Sequence, residues 1–345
     1  MGRNSPEDSD INPSSEASSG LKRLVLEKLD ASGITPNEKL GQHFLLDQGV
    51  INVLTEPVSP NDIVIEIGAG VGQLTEALAE KEAQVVSVEV DRRYEPVLSQ
   101  IADNHPNVRI VFGDALALDF RQLLPKDVDP EGILVIASLP YHITEPFLHK
   151  LAHFPCREAR LLVGRRLVYA LQALESQANF GQLSLVGQTF FHLEVLDQVD
   201  REVFYPVPRA KSAIISLIPR EESEFTTNQA RLLLRGLLTP GRKSPLVKNV
   251  LKEGLTAYAQ VINQNGLLSK KGKRRKERRE VKRYLKGIAQ KRVQGESREK
   301  PFLTQNKARA KINALGLSER ILNNPFRRLN NSELEILSRA LKKLI

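Results

Sequence analysis

Asp62-Ile63-Val64-Ile65-Glu66-Ile67-Gly68-Ala69-Gly70-Val71-Gly72 is the stretch on which the fold turns. It opens as an apolar run rich in β-branched residues, the pattern of a buried strand, and a helical pattern through Leu74, Ala77 and Leu78 follows it. The three glycines between them allow a sharp turn and let a ligand approach the backbone, which a Cβ would block. Downstream, Gln84-Val85-Val86-Ser87-Val88-Glu89-Val90 reads as a second strand with an acid near its end. Glu89 lies 21 residues beyond Gly68, where a doubly wound fold places a carboxylate on ribose hydroxyls. Glycine turn, helix and acid together describe a pocket for an adenosine-type nucleoside.

The glycine spacing narrows the nucleoside. A dinucleotide site spaces its glycines Gly-x-Gly-x-x-Gly, so that a pyrophosphate rests on the helix N-terminus. Here the spacing is Gly-x-Gly-x-Gly, with Glu66 two residues ahead. That is the pattern expected of enzymes whose cofactor is S-adenosyl-L-methionine, which has no phosphate to bind. The competing reading is a turn in an α/β protein that binds nothing.

At 345 residues the chain can bury one large core or two smaller ones. A hydrophobic content of 41% with 26% charged residues is ordinary for a soluble globular protein. A net charge of +9 points to a polyanionic partner, nucleic acid before an anionic membrane surface. The single cysteine, Cys156, excludes an internal disulfide and a cysteine-built metal site. No apolar run is long enough to span a bilayer and no signal-peptide core is present, so a cytoplasmic location without a membrane partner is expected.

Residues 1 to about 20 are rich in Ser, Asp, Glu, Asn and Pro and read as a disordered tail, with a short amphipathic helix at Leu21 to Leu29. Gly41-Gln42-His43-Phe44-Leu45-Leu46-Asp47 precedes a helix through Ile51 and Leu54. A structural reading makes Phe44 and Leu45 a hydrophobic staple at its start, and a functional reading has Gln42 and His43 supplying polar contacts to a ligand. Strand signals at Val85–Val90, Val108–Phe112 and Ile133–Ala137 alternate with helices near Tyr94–Ala102 and Thr144–Ala152, which argues for a parallel, doubly wound sheet. Asp114, at a strand's carboxyl end, suits either a bond from an adenine amino group or a helix cap.

The next strand runs into Ser138-Leu139-Pro140-Tyr141. Alkylating an exocyclic amine is hard because its lone pair is delocalised into the base. Acceptors set against its N–H groups favour pyramidal nitrogen and aim the lone pair at the methyl carbon. The Ser138 hydroxyl and Leu139 carbonyl are candidate acceptors, Pro140 stiffens the turn, and Tyr141 is placed to stack on an extruded base. Further on, Ser176 to Ser184 leads into an apolar strand. Phe204-Tyr205-Pro206-Val207-Pro208 precedes a last strand at Lys211 to Ile218, and Phe204 is equally suited to core and to a second stacking face.

Taken together, Gly-Gln-His-Phe-Leu, Glu-Ile-Gly-Ala-Gly, Val-Glu-Val-Asp, Gly-Asp-Ala, Ser-Leu-Pro-Tyr, Phe-Gly-x-Leu-Ser and Phe-x-Pro-x-Pro resemble the ribosomal-RNA adenine N6,N6-dimethyltransferase family of the small subunit, from about Gly41 to Ile218. The resemblance implies a Rossmann-like α/β methyltransferase domain at 41–220 and a smaller C-terminal α-helical, RNA-binding domain at 221–345, after a mostly disordered extension at 1–40. It implies a cofactor pocket of Gln42, His43, Leu45, Gly68, Gly70, Glu89, Asp114 and Ser138. Ser138, Leu139, Pro140, Tyr141 and Phe204 would then hold the target adenine, and methyl transfer would be direct and need no metal. The expected partner is rRNA or a ribosomal subunit, met by a monomer. The family motif usually opens with Asn where this chain has Ser138, which bears on the rate and on a second methylation.

In the C-terminal third, helical periodicity takes over (Leu232 to Leu238, then Leu334 to Leu341). Lys270 to Arg283 holds ten Lys or Arg against two Glu, within a basic insertion at about 264–300 that suits phosphate contacts. Two other functions fit the same residues: a large-subunit rRNA methyltransferase of the macrolide-resistance type, and a non-catalytic rRNA-binding assembly factor.

Overall fold

The computed structural model describes residues 13–37, 41–221, 233–234, 237–238, 246–252, 254–255 and 305–342. The basic run at 270–283 lies outside the described residues. The chain opens with α1 (Pro13–Ala31), β1 (Phe44–Leu45) and α2 (Gln48–Thr55), then β2 (Ile63–Ile67), α3 (Gln73–Glu80) and β3 (Gln84–Glu89). α4 (Glu95–Asn104), β4 (Val108–Phe112), β5 (Leu134–Ser138), α5 (Tyr141–Leu151) and β6 (Glu158–Gly164) follow. Next come α6 (Arg165–Gln172), α7 (Gln182–Phe190), β7 (Phe191–Val199), β8 (Phe204–Tyr205) and β9 (Ser212–Pro219). In the C-terminal third, the described residues include α8 (Gln305–Ala314), α9 (Glu319–Asn323) and α10 (Asn331–Lys342).

A seven-stranded sheet of order β4-β3-β2-β5-β6-β9-β7 organises the first unit. From β4 to β6 every neighbouring pair is parallel, and β9 runs antiparallel to β6. Parallel strands must be covered on both faces, so their residues are apolar without alternation. Val64, Val85, Leu134 and Ile136 pack with Ile51 and Leu54 of α2 and Leu74 and Leu78 of α3. Their neighbours Ile65, Val135 and Ala137, which period-two geometry turns to the opposite face, are fully buried as well. The sheet is thus mixed, and parallel in the half that carries the glycine turn.

One polar cluster sits inside that sheet. Glu66 is fully buried on β2, and its Oε2 accepts from Thr75 Oγ1 (2.6 Å) and Ser87 Oγ (2.5 Å). Burial pushes its carboxyl up to about 7, with the two hydroxyls opposing.

The N-terminal helix corrects the expectation of a mostly disordered extension. α1 starts at Pro13, not Leu21, and proline suits the first helical turn. Val25 and Leu29 are buried against Phe44, Val71, Tyr94 and Leu98, so the segment joins the core behind the glycine turn. Lys28 Nζ reaches Glu76 Oε2 at 2.6 Å. The helix expected at Leu21 to Leu29 lies within α1, and Pro13–Gly20, read as tail from composition, extend it. Phe44 and Leu45 are not a helix staple: they form β1, antiparallel to β8. Asp47 caps α2 instead, accepting from Val50 N at 2.9 Å.

The second unit comprises Tyr169–His192 with Arg220–Ile345. The boundary read near residue 220 therefore misassigned Tyr169–His192. The apolar run after Ser176 is also a helix before it is a strand: α7 covers Gln182–Phe190 and only then does β7 begin. Ser184 accounts for the start, accepting from Gly181 N at 3.0 Å and donating to Ala170 O at 2.6 Å. A short apolar run cannot tell these states apart by itself. Within this unit Glu175 accepts from Ser338 Oγ (2.8 Å) and pairs with Lys342 (2.6 Å), which ties the loop before α7 to α10. Among the described residues no helix is long and apolar enough to cross a membrane.

Replacing Leu29 with Ala is expected to cost about 2–5 kcal/mol in urea unfolding, the usual price of a buried leucine; an unchanged midpoint would show that α1 is dispensable to the core. For Glu66 the folded carboxyl titrates above its ordinary value of 4.5, so its contribution is complete below that value and is lost as pH rises through about 7. The E66Q variant should lose on the order of 3 kcal/mol of this slope, ending more stable than the parent at pH 8. Parallel pH profiles for the two proteins would assign the slope to other groups.

Candidate active site

In sheet order, the carboxyl ends of β4, β3, β2 and β5 lead into Asp114, Glu89, Gly68 and Ser138. Adjacent strands lie about 4.8 Å apart, so these four positions form a row about 14 Å long on one edge. Ligands bind outside such ends in open α/β sheets. Gly68 and Gly70 turn the chain with φ of +84° and +57°, a region that side-chain-bearing residues rarely adopt. A Cβ on Gly68 would meet only the Ser138 carbonyl, at 3.4 Å, and one on Gly70 would meet the Phe44 ring at 3.3 Å. The turn is thus an open cradle that extra side chains would fill, which fits a ligand lying against bare backbone.

Glu89 fixes this cradle. Its Oε2 accepts from Gly70 N, and its Oε1 from Val90 N and Asp91 N, each at 2.8 Å. Burial raises its carboxyl above the usual range, and the three amides pull the other way. A carboxylate offers about four lone-pair sites, so one remains for a ribose hydroxyl. Gly113 N bonds to the Glu89 carbonyl at 2.8 Å, which holds Asp114 beside it. Asp114 itself is exposed, and its Oδ1 accepts from Leu116 N at 2.8 Å. Asp114 thus caps a turn and not a helix, since the next helical turn, Phe120–Leu123, is capped by Asp119.

The segment before α2 distributes its residues differently from expectation. Gln42 accepts from Asn37 N (2.8 Å) and donates to Asp91 Oδ2 (2.8 Å). Both ends of that amide are used to fasten the segment to the β3 end. Arg93 and Gln42 hold the Asp91 carboxyl well below the usual range, at about 2, Arg93 having the larger part. The Leu45 side chain is buried among Leu54, Val64 and Phe204, which leaves its backbone as the part that could face a ligand. Alternation along β1 sends Leu45 inward and leaves Phe44, which the sequence reading left unassigned as a ligand contact, over Gly70 and edge-on to Tyr94 at 6.0 Å.

A second pocket adjoins the cradle. Gly41, His43, Ser138, Leu139, Pro140, Leu162, Phe204 and Ser212 line it around a cavity of about 30 Å³, well below the usual size of ligand sites, so its walls must part to admit a base. Four separate stretches of chain make it. β1 pairs with β8, Phe44 opposite Tyr205 and Leu45 opposite Phe204. His43 Nδ1 lies 2.7 Å from the Pro206 carbonyl, and Leu46 N donates to Val203 O at 2.7 Å. Leu139 N donates to Leu162 O at 3.2 Å, and the Pro140 carbonyl accepts from Ile143 N and Thr144 Oγ1, so the turn into α5 is held at both ends. Phe204 is both core and pocket wall, 5% exposed. The Tyr141 side chain lies outside what is described.

The structure thus brings His43, Ser138, Leu139, Pro140 and Phe204 into one pocket and Gly68, Gly70 and Glu89 into one cradle. The Ser138 carbonyl facing Gly68 links the two. Asp91, inside the Val-Glu-Val-Asp motif, is a tie that the motif alone does not reveal: it accepts from Gln42 and pairs with Arg93. Among the described residues no cluster of side chains could hold a metal ion.

Residues 34–280 match the family model described as ribosomal RNA adenine dimethylase. A "Ribosomal RNA small subunit methyltransferase A" from Pelotomaculum thermopropionicum is 31% identical over 260 residues, covering 71% of this chain and 88% of that protein. A protein of the same name from Alkaliphilus metalliredigens is 29% identical over 236 residues, covering 67% and 82%. A crystal structure of a dimethyladenosine transferase from Plasmodium falciparum superposes with a TM-score of 0.49 at 22% identity, covering 88% of this chain and 98% of that one. With the model matched over most of its length, this chain belongs to the ribosomal RNA adenine dimethylase family.

Proposed function

We propose that this protein is an S-adenosylmethionine-dependent rRNA adenine N6-methyltransferase that dimethylates adenosine of small-subunit rRNA. The observation that carries the site assignment is the closeness of cradle and pocket, where a Cβ added at Gly68 would lie 3.4 Å from the Ser138 carbonyl. A donor lying along the strand ends and a purine in the pocket would meet there without leaving the protein surface.

Bound in the cradle, the cofactor supplies a methyl group activated by a sulfonium. Glu89, already fixed by three amides, is placed for the ribose hydroxyls, and Asp114 for the adenine amine. On the other side, the Ser138 hydroxyl and Leu139 carbonyl accept from the target N6–H groups and turn its lone pair toward the donor. Phe204 offers a ring face to the base, and Pro140 holds the acceptors in register. Serine reaches less far than the usual asparagine, and its hydroxyl can rotate to accept from an amine that carries one methyl or none. The protein works in the cytoplasm, where its rRNA substrate is, and as a monomer, since one chain contributes every group named.

The small-subunit reading rests on the names of the relatives, and the test separates it from its rivals. Methyl-labelled cofactor is incubated with unmodified small and large subunits, and the labelled nucleotide is mapped. Dimethyladenosine in small-subunit rRNA is the expected product. Label in the large subunit would move the protein to the other methyltransferase class, and label in neither would leave an assembly factor.

Two substitutions divide the site. In E89A, cofactor affinity measured by calorimetry should fall at least tenfold, and equal affinity would misplace the cofactor. With S138A, turnover at saturating cofactor should drop about 10- to 100-fold while cofactor affinity changes less than threefold, since one transition-state acceptor is worth about 1.4–2.7 kcal/mol. An unaffected turnover would leave the Leu139 carbonyl as the sole acceptor.

A further inference from the structure

The loop that carries Asp114 has few internal ties for a ligand-holding segment. Asp114 Oδ1 accepts from Leu116 N, and the Asp114 carbonyl from Ala117 N and Leu118 N at 2.9 and 3.0 Å. Nothing in that turn fixes the carbonyls of the residues that follow. Three of them, those of Ala115, Leu116 and Leu118, converge on one cation from another element. Lys150 Nζ donates to Ala115 O at 2.6 Å, reaches Leu116 O at 3.3 Å and bonds to Leu118 O. The same ammonium lies 4.1 Å from the centroid of the Phe120 ring. An ammonium has three donors, and this geometry uses them on one short stretch of backbone. The ring beneath completes its shell.

Lys150 sits in the last turn of α5, whose first residues follow Ser138-Leu139-Pro140. Nine residues separate Tyr141 from Lys150 along a helix, about 13.5 Å of rise. α5 thus starts at the pocket and ends under the Asp114 loop. Phe147 and Phe154 pack around Phe120, at 6.2 and 5.5 Å between centroids, so the helix and the loop share one aromatic cluster. Burial lowers the lysine's affinity for its proton, and Asp114 and Asp119 favour the charged form.

We infer that Lys150 is a positioning residue for cofactor binding, which holds the loop of Asp114 at the cradle by gathering its carbonyls onto one ammonium. The inference rests on the cofactor placement proposed above. Without the cation, three carbonyls lose their donor and the loop is free to relax, so the site pays for reordering it each time the cofactor binds. The loss falls on cofactor affinity, whereas the acceptor pocket at the other end of α5 keeps its geometry.

The test compares wild type with K150M, which keeps the aliphatic stem, and with K150Q, which keeps a donor in case the first variant folds poorly. Calorimetric titration with S-adenosylmethionine should show about tenfold weaker binding for K150M and a smaller loss for K150Q. The KM for cofactor should rise in step, with kcat at saturating cofactor and the KM for RNA within twofold of wild type. Equal cofactor affinity in a variant with a lowered melting temperature would make Lys150 a plain structural tie and overturn the inference. An increased KM for RNA with unaltered cofactor affinity would overturn it as well. If wild type itself fails to bind S-adenosylmethionine, the cofactor placement falls and the inference with it.

Discussion

A single bond between a backbone amide and a carboxylate, Gly70 N to Glu89 Oε2 at 2.8 Å, holds the site in shape. Gly70 lies in a turn with positive φ, and Glu89 ends the neighbouring strand. A charged acceptor binds amides about twice as strongly as a neutral one does. Here one carboxylate takes three of them, so the turn is preorganised without ligand. Burial makes that arrangement expensive and therefore dependent on all three donors together. Glu66 lies one strand away under the same turn, with hydroxyls from α3 and β3 on one oxygen. Two acids thus fasten the segment, one to the strand ends and one to the sheet interior.

The rest of the architecture brings distant chain to this turn. Sheet order sets Asp114, Glu89, Gly68 and Ser138 side by side although they are scattered through the sequence. The two-residue ladder of β1 and β8 does for the pocket what the sheet does for the cradle. The Gln42 amide joins that ladder's flank to Asp91, and α1 lies behind Phe44 and Tyr94. Side chains that touch no ligand therefore carry much of the geometry, as is usual where a site must be held within fractions of an ångström.

The strands and the row of carboxyl-end residues were legible in the sequence because parallel strands announce themselves as continuous apolar runs. Glycine spacing and the position of Glu89 gave the nucleoside cradle for a similar reason: both are local and tied to backbone geometry. What escaped was set by tertiary contact. Leu45 sits in a motif of ligand-lining residues, yet the pleat of β1 turns it into the core and presents Phe44. The helix at Leu21 to Leu29 was expected, but α1 begins at Pro13, in a stretch whose Ser- and Glu-rich composition reads as tail. The run Leu183 to Phe191 is apolar enough for either state, and Ser184 decides it through a bond to Ala170 that no local pattern predicts. Lys150 reads as an ordinary helix lysine until the Asp114 loop is folded over it.

The contact between His43 and Pro206 spans 163 residues of chain. During synthesis the glycine turn and its acids emerge long before β8 exists, and closing so long a loop is the slow, entropically costly part of assembly. Until it closes, the pocket has no Phe204 wall and no anchor for His43. The cradle thus forms early in synthesis and the pocket late, so a partly made chain holds only half of the arrangement.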